Sequence, residues 1–416
     1  MKGVILNFRE LLVKMLILVL PLYHKVLVTR LRHKKTINVV FFASSLSQWR
    51  YQNLYNMLSK IKRFYVIVVI CPCCTISKSQ QKDDVQLLSN YFISNKTKFI
   101  TWVTSDGKIL DIKHELSPDI LFYPQPYFGF YPSQLSYSNF WGRLLCYYPY
   151  AFWMGKDSWS YNLRFHNVAW KMFYPTQLHL IDAFKYSFVK GRNMEIVGYP
   201  TADDFLSGYH KDVWKTQQSY KKRIIWAPHF TLSFNGYVQQ SNFLSMAEFM
   251  LDIAKRYLDK VQFVFKPHPR LFTELCKHSD WGEAQAVAYY SKWAEMENTQ
   301  IETGEFVDLF MTSDAMIHDC GSFAVEYHYS GNPVMYIAEN FDEQVAEKND
   351  FGKIAMHLHY VGKNHQDIID FIENVVLAGE DPLKPRRQQF REDYLIPPRG
   401  KTVAENTVDV LLKEFC

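Results

Sequence analysis

The sequence predicts two α/β domains, each with a parallel sheet covered by helices, and three observations support this fold class. The chain has 416 residues, which is about twice the usual size of one domain. Short apolar runs alternate with helix-like stretches in both halves, as is typical of parallel strands joined by crossover helices. A polar, charged stretch between residues 201 and 222 separates the two halves, and we predict the connection between the domains there.

In the first half, apolar runs typical of buried strands are each followed by stretches of helical pattern. We predict strands at residues 37–43, 65–71, 99–103 and 120–123, a further strand ending near Gly198, and helices at residues 51–62 and 83–92. Residues 123–150 are rich in Pro, Gly and aromatic side chains, which predicts irregular structure lining a cleft. We assign residues 36–205 to a first Rossmann-like domain.

The second half repeats the same alternation. We predict strands at residues 223–227, 261–265, 315–318 and 334–337, and helices at residues 242–258, 271–278 and 322–329. This pattern indicates a second doubly wound domain over residues 206–400. A final helix within residues 401–416 follows Pro397 and Pro398, and we expect that it can cross back to the first domain.

Residues 1–35 form an apolar segment interleaved with basic side chains. The longest run without charge or His covers only residues 15–23, which is too short for the about 20 apolar residues that a membrane span needs. Tyr23, His24 and Lys25 follow this run where a signal peptide would have small residues. We predict an amphipathic helix lying on an anionic membrane surface; the alternatives are a short or tilted span and an ordinary helix packed on the protein.

The composition excludes several classes of protein. The formal net charge of +5 is small for this length, and no long basic run follows residue 35, so nucleic acid is not an expected partner. Seven Cys are present, and their spacing lacks the paired ligands of a zinc site, so we predict reduced thiols and no metal. The absence of GxxxxGK[ST], and of GxGxxG after the first strand, argues against P-loop chemistry and a dinucleotide cofactor. We predict no cofactor.

Two turns of the second half combine features that suit an anionic ligand. Lys266, His268 and Arg270 lie in the run KPHPR after a strongly apolar strand, and the carboxyl ends of such strands are where ligands bind. Their side chains can neutralise a diphosphate and bind its oxygens. The alternative is a surface turn that merely contains basic residues.

The second turn has the sequence HDCGSF and joins another strand to a helix. Gly321 permits close approach of a ligand, the amides of Ser322 and Phe323 lie at the start of the helix, and Asp319 can orient a His or cap the helix. An ordinary helix-capping turn is the alternative for this motif. Two such turns on neighbouring strands favour a shared anion site.

Further candidates are single residues. His229, after Pro228 at the end of the first strand of this domain, is a candidate for phosphate contact or for acid–base catalysis because His can change its charge near neutral pH. Glu326, one turn into the helix that follows Ser322, is a candidate for binding a sugar hydroxyl, with helix pairing or solvent exposure as the alternatives. His166 is a further candidate, on the acceptor side of the predicted cleft.

Residues 190–415 resemble the CDP-glycerol glycerophosphotransferase family of teichoic-acid-type polymerases and primases. The resemblance rests on Gly198-Tyr199-Pro200 with Asp203, on WAPH ending at His229, on KPHP from Lys266, on residues 313–323, and on PRGK before the final helix. It implies a GT-B fold with a cleft between the domains and attachment to the cytoplasmic face of the membrane. It also implies transfer of glycerol phosphate from CDP-glycerol to a lipid-linked acceptor.

The resemblance also suggests roles for individual residues. In the family, the His of the KPHP-like motif and the Ser at the helix start hold the donor phosphates, which implies these roles for His268 and Ser322. The sequence departs from the family in two places: the His-Gly pair of the first domain is absent, and the paired serines are Gly321-Ser322. The catalytic base stays open between His166 and a histidine of the second domain, His229 or His268.

Two other functions compete with phosphoalditol transfer. One is a GT-B glycosyltransferase that uses a nucleotide sugar for capsule or lipopolysaccharide assembly; the absence of a DxD triplet at a strand end favours a metal-independent GT-B enzyme over a GT-A enzyme. The other is a non-catalytic membrane scaffold, which would tolerate the loss of His268 and Ser322.

Overall fold

The computed structural model describes residues 2–156, 159–232, 241–304 and 306–415, with the side chains of the first helix described from Val13 onward. The chain forms two compact units. The first comprises Met1–Asp203 and Ile396–Cys416, and the second comprises Asp204–Leu395. The predicted boundary after residue 205 lies close to this division, whereas the predicted boundary after residue 400 differs because residues from Ile396 onward pack with the first unit.

A parallel sheet forms the centre of the first unit. Its strands are β1 (Ile37–Ala43), β2 (Phe64–Ile70), β3 (Phe99–Thr101), β4 (Ile120–Tyr123), β5 (Leu144–Tyr147), β6 (Lys171–Tyr174) and β7 (Met194–Ile196). They lie in the order β3-β2-β1-β4-β5-β6-β7, and every neighbouring pair is parallel. The strands grow outward in both directions from β1 and β4, which is the doubly wound arrangement predicted.

Helices cover this sheet. They are α1 (Lys2–Arg32), α2 (Gln52–Leu58), α3 (Lys78–Ser94), α4 (Ile112–Glu115), α5 (Trp159–Asn162), α6 (Arg164–Val168), α7 (Gln177–Tyr186) and α8 (Ala202–Phe205), in which the division between the units falls. The capping box at the start of α3, where Ser77 and Gln80 bind each other's backbone amides, explains why this polar segment is helical.

Residues 123–150, predicted as irregular, contain β5. All four residues of β5 are buried because the strand lies between β4 and β6 and is covered on both faces. A strand in this position has no alternation of polar and apolar residues, so the surrounding aromatic and Pro-rich turns dominated the pattern. β6 was missed for the same reason.

The second unit has its own parallel sheet. Its strands are β8 (Lys222–Ala227), β9 (Val261–Phe265), β10 (Thr299–Ile301), β11 (Ala315–His318), β12 (Val334–Ile337) and β13 (Tyr360–Gly362). Their order is β10-β9-β8-β11-β12-β13, again with parallel neighbours. The prediction of two parallel α/β domains is therefore confirmed, although the short edge strands β10 and β13 were not predicted.

The second sheet is likewise covered by helices. They are α9 (Phe243–Arg256), α10 (Leu271–Lys277), α11 (Gly282–Glu295), α12 (Val307–Met311), α13 (Phe323–Glu326), α14 (Phe341–Ala346), α15 (Asp350–Met356), α16 (His365–Asp370) and α17 (Lys384–Phe390). The last helix of the chain, α18 (Val403–Phe415), belongs to the first unit. α9 is strongly amphipathic, and its apolar face packs with the aromatic side chains of β8 and β9 in one core.

The predicted amphipathic segment, residues 1–35, consists mainly of α1. One face packs on the first unit and is buried: Ile17, Leu20, His24, Val28 and Leu31. The opposite face exposes large apolar side chains: Met15, Leu18, Val19, Leu22 and Val26. Across the described part of the chain, we find no helix with the length and apolar character that a bilayer span requires. The alternative of a helix packed on the protein therefore holds for one face of α1, while the other face is apolar and uncovered.

The tail of the chain is fixed to the first unit by a cap at the start of α18. The Asp203 carboxylate accepts hydrogen bonds from the backbone N–H groups of Val403 (2.6 Å) and Ala404 (3.0 Å). Before the helix, Arg399 has a left-handed backbone conformation and donates from Nε to the Asn406 side-chain oxygen at 2.8 Å. α18 then packs against α1 and α2. Two of the sequence motifs behind the family resemblance thus meet here and hold the tail in place.

Gly198 lies where the tail passes the end of β7. Its φ angle is +103°, and an added Cβ would stand 2.9 Å from Cγ2 of Val403 and 3.0 Å from Cβ of Pro397. Both the backbone conformation and the close approach of the tail require glycine at this position.

Three buried histidines lie together in the second unit. The ring centroid of His359 is 5.3 Å from that of His318 and 4.9 Å from that of His328, and none of the three is more than 4% exposed. Burial lowers the pKa of His359 to about 4 and those of the other two well below 6.5. The buried Arg387 guanidinium lowers the pKa values of His328 and His359 further. All three rings are therefore neutral at pH 7.

We predict that Gly198→Ala destabilises the protein by about 3 kcal/mol, because it adds backbone strain of about 1–2 kcal/mol and an overpacking cost of about 1–3 kcal/mol. Gly129→Ala is the matched control: its φ is +79°, but an added Cβ meets nothing within 4 Å. In urea unfolding, Gly198→Ala should lose clearly more of the free energy of unfolding than Gly129→Ala. Equal losses for the two variants would contradict the close packing of the tail.

We also predict that acid destabilises the fold through the histidine cluster. Because the folded-state pKa values lie below the unfolded value of about 6.5, the unfolded chain binds more protons as the pH falls below 6.5, and stability falls with it. One pH unit below 6.5, each histidine lowers the free energy of unfolding by about 1.4 kcal/mol.

His359→Asn tests this prediction, since an amide can still donate to the carbonyl oxygens of Ala355 and Met356, each 3.1 Å from His359 Nδ1, but does not titrate. Thermal unfolding midpoints at about pH 7.5 and about pH 5.5 should differ less in the variant than in the wild type. An unchanged difference would rule out a contribution from His359.

Candidate active site

The candidate site lies at the carboxyl edge of the second sheet, where three neighbouring strands end. Pro228 and His229 follow β8, residues 266–270 follow β9, and residues 319–323 follow β11. β8 lies between β9 and β11, so the three turns are adjacent. The chain winds away from β8 and β11 in opposite directions, and open α/β sheets bind their ligands at such a switch point.

Hydrogen bonds join the three turns to one another. The His268 N–H donates to the carbonyl oxygen of Pro228 at 3.1 Å. The buried carboxylate of Asp319 accepts from the backbone N–H groups of His229 and Asn242, both at 2.6 Å. Burial raises the pKa of Asp319 to about 6, against the effect of these bonds, which lower it. Asp319 therefore orients the backbone of the β8 turn and the start of α9.

The imidazole rings of His229 and His268 lie side by side with centroids 5.1 Å apart. Nδ1 of His229 accepts hydrogen bonds from Thr231 N (3.3 Å) and Oγ1 (2.8 Å), and Nδ1 of His268 accepts from the Arg270 N–H at 3.1 Å. Because a backbone N–H can only donate, each neutral ring carries its proton on Nε2. Within the described residues, neither Nε2 atom has a hydrogen-bond partner.

Burial sets the charge of these two rings. It lowers the pKa of His229 to about 4 and that of His268 to about 3, and the Arg270 charge lowers both further, as does His229 for His268. In the unliganded protein at pH 7, both rings are thus neutral N–H donors rather than cations. An anion near Nε2 would favour the protonated form of either ring.

Arg270 supplies the fixed positive charge of this edge. Its guanidinium centre lies 4.2 Å from the centroid of the Phe230 ring, and its Nη2 lies 3.4 Å from Glu274 Oε1. Beside it is a cavity of about 200 Å³, whose other lining residues are Thr231, Leu232, Lys277 and His278. Two cations, Arg270 and Lys277, share the one carboxylate of Glu274 in the lining, so the cavity keeps a net positive charge.

The contact that the structure shows for Lys266 is not the predicted one with a diphosphate. Its side chain is buried, and Nζ donates to the carbonyl oxygen of Gly304 at 2.8 Å. The ammonium thus fixes the loop after β10. A contact between Lys266 and a donor diphosphate stays a prediction.

The turn after β11 leaves open space for a ligand. An added Cβ at Gly321 would meet no atom within 4 Å, and the Ser322 side chain is exposed, with Oγ 3.1 Å from Cys320 Sγ. The Phe323 side chain packs on Phe310, with ring centroids 5.0 Å apart, so Phe323 offers a ligand only its backbone amide.

Two predicted site residues are buried. Glu326 is 3% exposed, which excludes the alternative of a solvent-exposed residue. His166 is 1% exposed in the first unit. Burial lowers the pKa of His166 to about 3. A base must reach the acceptor hydroxyl, so this enclosure argues against the predicted role of His166 as the catalytic base.

Three residues of the site were missed from the sequence. Phe230 lies beside His268, with tilted rings whose centroids are 4.3 Å apart. Thr231 fixes the tautomer of His229, and Asn242 supplies one of the amides bound by Asp319. Phe230 and Thr231 adjoin a candidate histidine and could have been included on that ground. Asn242 directly precedes α9, where Asn is a common capping residue, but nothing in the sequence links it to Asp319.

The fold resembles several solved structures at low sequence identity. The UDP-GlcNAc 2-epimerase from Neisseria meningitidis has a TM-score of 0.61 at 13% identity, covering 91% of this chain and 100% of that chain. MnaA from S. aureus, solved with UDP, has a TM-score of 0.55 at 13% identity, covering 92% and 98%. The wall teichoic acid polymerase TagF has a TM-score of 0.58 at 12% identity, covering 92% and 90%. At these identities the likeness concerns the fold alone.

Comparison of the sequence with curated proteins gave no match. A family model described as CDP-glycerol:poly(glycerophosphate) glycerophosphotransferase matches residues 156–412. This match covers more than half of the chain, including the whole candidate site. The chain is therefore a member of the CDP-glycerol:poly(glycerophosphate) glycerophosphotransferase family and an enzyme of that type.

Proposed function

We propose that this enzyme transfers glycerol phosphate, or a related alditol phosphate, from a CDP-activated donor to a membrane-linked acceptor in the synthesis of a cell-surface polymer. The observation that carries the proposal is the meeting of three turns at the switch point of the second sheet. Two outward N–H donors, an arginine and an open Gly-Ser turn are gathered there. We further propose that the two units act as the donor and acceptor domains of a GT-B enzyme.

The proposed reaction is a single displacement at phosphorus. The oxygen of an acceptor hydroxyl attacks the phosphorus that carries glycerol, forming a new phosphodiester, while the bond from that phosphorus to the bridging oxygen of the diphosphate breaks. CMP leaves with the electron pair, and the hydroxyl proton is released. Negative charge grows on the CMP phosphate, so groups that bind the diphosphate stabilise the transition state.

The residues at the switch point suit this charge. The Nε2–H groups of His229 and His268 can each donate to a phosphate oxygen, and Arg270 adds a permanent positive charge. The backbone amides of Ser322 and Phe323 lie at the open turn after β11, where a diphosphate can approach because Gly321 has no side chain. We assign these groups to donor binding.

The tautomers inferred from the hydrogen bonds bear on the catalytic base. The Nδ1 lone pairs of His229 and His268 are already occupied by backbone N–H groups, and Nε2 carries the proton. In this state neither ring can accept a proton at the exposed nitrogen. We therefore assign both histidines to positioning and charge stabilisation and not to removal of the acceptor proton.

A substitution series at His268 tests the donor site. CMP release from CDP-glycerol and CDP-ribitol, and nucleoside diphosphate release from a panel of nucleotide sugars, would be measured with candidate acceptors. His268→Ala should lower kcat/KM for CMP release by about 100-fold, as expected for loss of one oriented donor. His268→Gln should retain more activity than His268→Asn, because the Gln amide nitrogen reaches the place of Nε2. His357→Ala, at an exposed histidine after α15, is the control.

The outcomes separate the candidate functions. CMP release that depends on His268 supports the proposal. Nucleoside diphosphate release from a nucleotide sugar would replace it with glycosyl transfer, and no release from any donor would favour a scaffold. Equal activity of the Gln and Asn variants would contradict the assigned tautomer.

We also propose that the enzyme binds the cytoplasmic face of the cell membrane as a peripheral protein, through α1. The exposed face of the helix supports this, since Leu18, Val19, Leu22 and Val26 are each more than half exposed. Burial of four such side chains would contribute roughly 4 kcal/mol, at about 1 kcal/mol each. Basic residues on the same helix would add attraction to anionic lipids.

Flotation with lipid vesicles tests the membrane proposal. The double variant Leu22→Ser and Val26→Ser should float less than the wild type on both neutral and anionic vesicles, because it removes apolar contact. The matched control is Leu87→Ser with Ile93→Ser, which changes two exposed apolar residues on α3. If both double variants float like the wild type, α1 is not the membrane-binding element.

A further inference from the structure

A cavity of about 470 Å³ lies in the first unit, between α1 and the amino edge of the sheet. One wall is formed by the second half of α1. The other wall is formed by the end of α6, the start of β6, the loop before β7 and the end of α18. Its volume falls in the range of about 300–1,000 Å³ that is usual for small-molecule sites.

The position of the cavity separates it from a substrate site. Trp170 and Lys171 stand at the beginning of β6, and Asn193 directly precedes β7. The cavity therefore lies at the edge opposite the carboxyl ends of the strands, where substrates of α/β enzymes bind. None of its lining residues belongs to the donor site described above.

Several basic side chains line the cavity. Lys171 is held by two carboxylates, with Nζ 2.6 Å from Glu195 Oε1 and 3.0 Å from Glu414 Oε1. Lys25 and Arg192 have no ion pair within the described residues, and the only contact of the Arg192 guanidinium there is from Nε to the Val189 carbonyl oxygen at 3.0 Å. Two lining cations are thus free to bind an anion.

The lining of the cavity combines apolar side chains with two buried polar ones, His24 and Asn167. Leu20, Val28 and Trp170 are among its apolar lining residues, and all three are buried. The His24 side chain is only 7% exposed and lines the cavity. It has no hydrogen-bond partner among the described residues, so a ligand in the cavity could supply one.

Three basic residues of α1 form a stripe beside its exposed apolar face. Lys25 and Arg32 follow Lys14 by about three and about five helical turns, which places all three on one side of the helix. This side lies between the buried face and the apolar face that includes Leu22 and Val26. Lys25 and Arg32 of this stripe line the cavity. A ligand with an anionic head and an apolar tail therefore matches the surface.

We propose that this cavity binds the phosphate-bearing head group of an anionic membrane lipid, with Lys25 and Arg192 contacting the phosphate and the acyl chains lying along the exposed face of α1. The site would select lipids by their charge, in addition to the contact that the helix makes with any bilayer. The inference rests on the proposed membrane binding by α1. In this proposal the bound lipid anchors the enzyme to the membrane and is neither the donor nor the acceptor of the reaction.

Calorimetry with short-chain lipids below their micelle concentration tests the site without a bilayer. The wild-type enzyme should bind dihexanoyl phosphatidylglycerol at least about tenfold more tightly than dihexanoyl phosphatidylcholine, glycerol phosphate or inorganic phosphate. Lys25→Gln with Arg192→Gln should weaken phosphatidylglycerol binding about tenfold or more. Lys78→Gln with Lys82→Gln, on exposed residues of α3, removes the same charge elsewhere and should have no effect.

Three results would overturn the proposal: equal affinity for the two lipids, unchanged affinity in the Lys25 and Arg192 double variant, or binding of inorganic phosphate as tightly as lipid, which would indicate a free-anion site. CDP-glycerol binding, measured on the same samples, shows whether each variant is folded and tests the donor site independently. In flotation, the double variant of Lys25 and Arg192 should lose its preference for anionic vesicles but still bind neutral ones. Loss of binding to both kinds of vesicle would instead mean that the substitutions disturb α1 itself.

Discussion

The candidate active site depends on one buried carboxylate. Asp319 accepts hydrogen bonds from the backbone amides of His229 and Asn242, which belong to the turn after β8 and the start of α9. Through the bond from His268 to Pro228, the turn after β9 is held to the same point. A carboxylate is needed for this arrangement because it accepts two N–H groups with separate oxygens, and its burial keeps water from competing.

The environment of the two site histidines follows from that arrangement. The turns bring the rings of His229 and His268 to a centroid distance of 5.1 Å, close enough for each to disfavour a charge on the other. Because Nδ1 of each ring accepts a hydrogen bond from a backbone N–H, the other nitrogen, Nε2, is a donor. The site is therefore organised for a ligand rich in acceptor oxygens before the ligand arrives, and little reorganisation is needed on binding.

Much of the fold could be predicted from the sequence, because strongly apolar central strands such as β1, β9 and β11 have clear boundaries. β5 and the edge strands β10 and β13 could not, because they are short and lack a periodic pattern. At the candidate site, His268, Asp319 and Gly321 were predicted from their places after strands, and the structure places all three at the carboxyl edge of the second sheet. The buried contact of Lys266 with Gly304 and the enclosure of His166 depend on tertiary packing, which a local pattern does not reveal.

The capping of α18 by Asp203 has a consequence for synthesis of the chain. The second unit, Asp204–Leu395, is complete in sequence before the tail that finishes the first unit has been translated. Domains fold as units as they emerge from the ribosome, so the unit carrying the donor site can fold first. The first unit cannot be completed until α18 has been translated. Until then, the surfaces of α1 and α2 that receive α18 stay uncovered, and the nascent first unit is the part of the chain that most needs protection from aggregation.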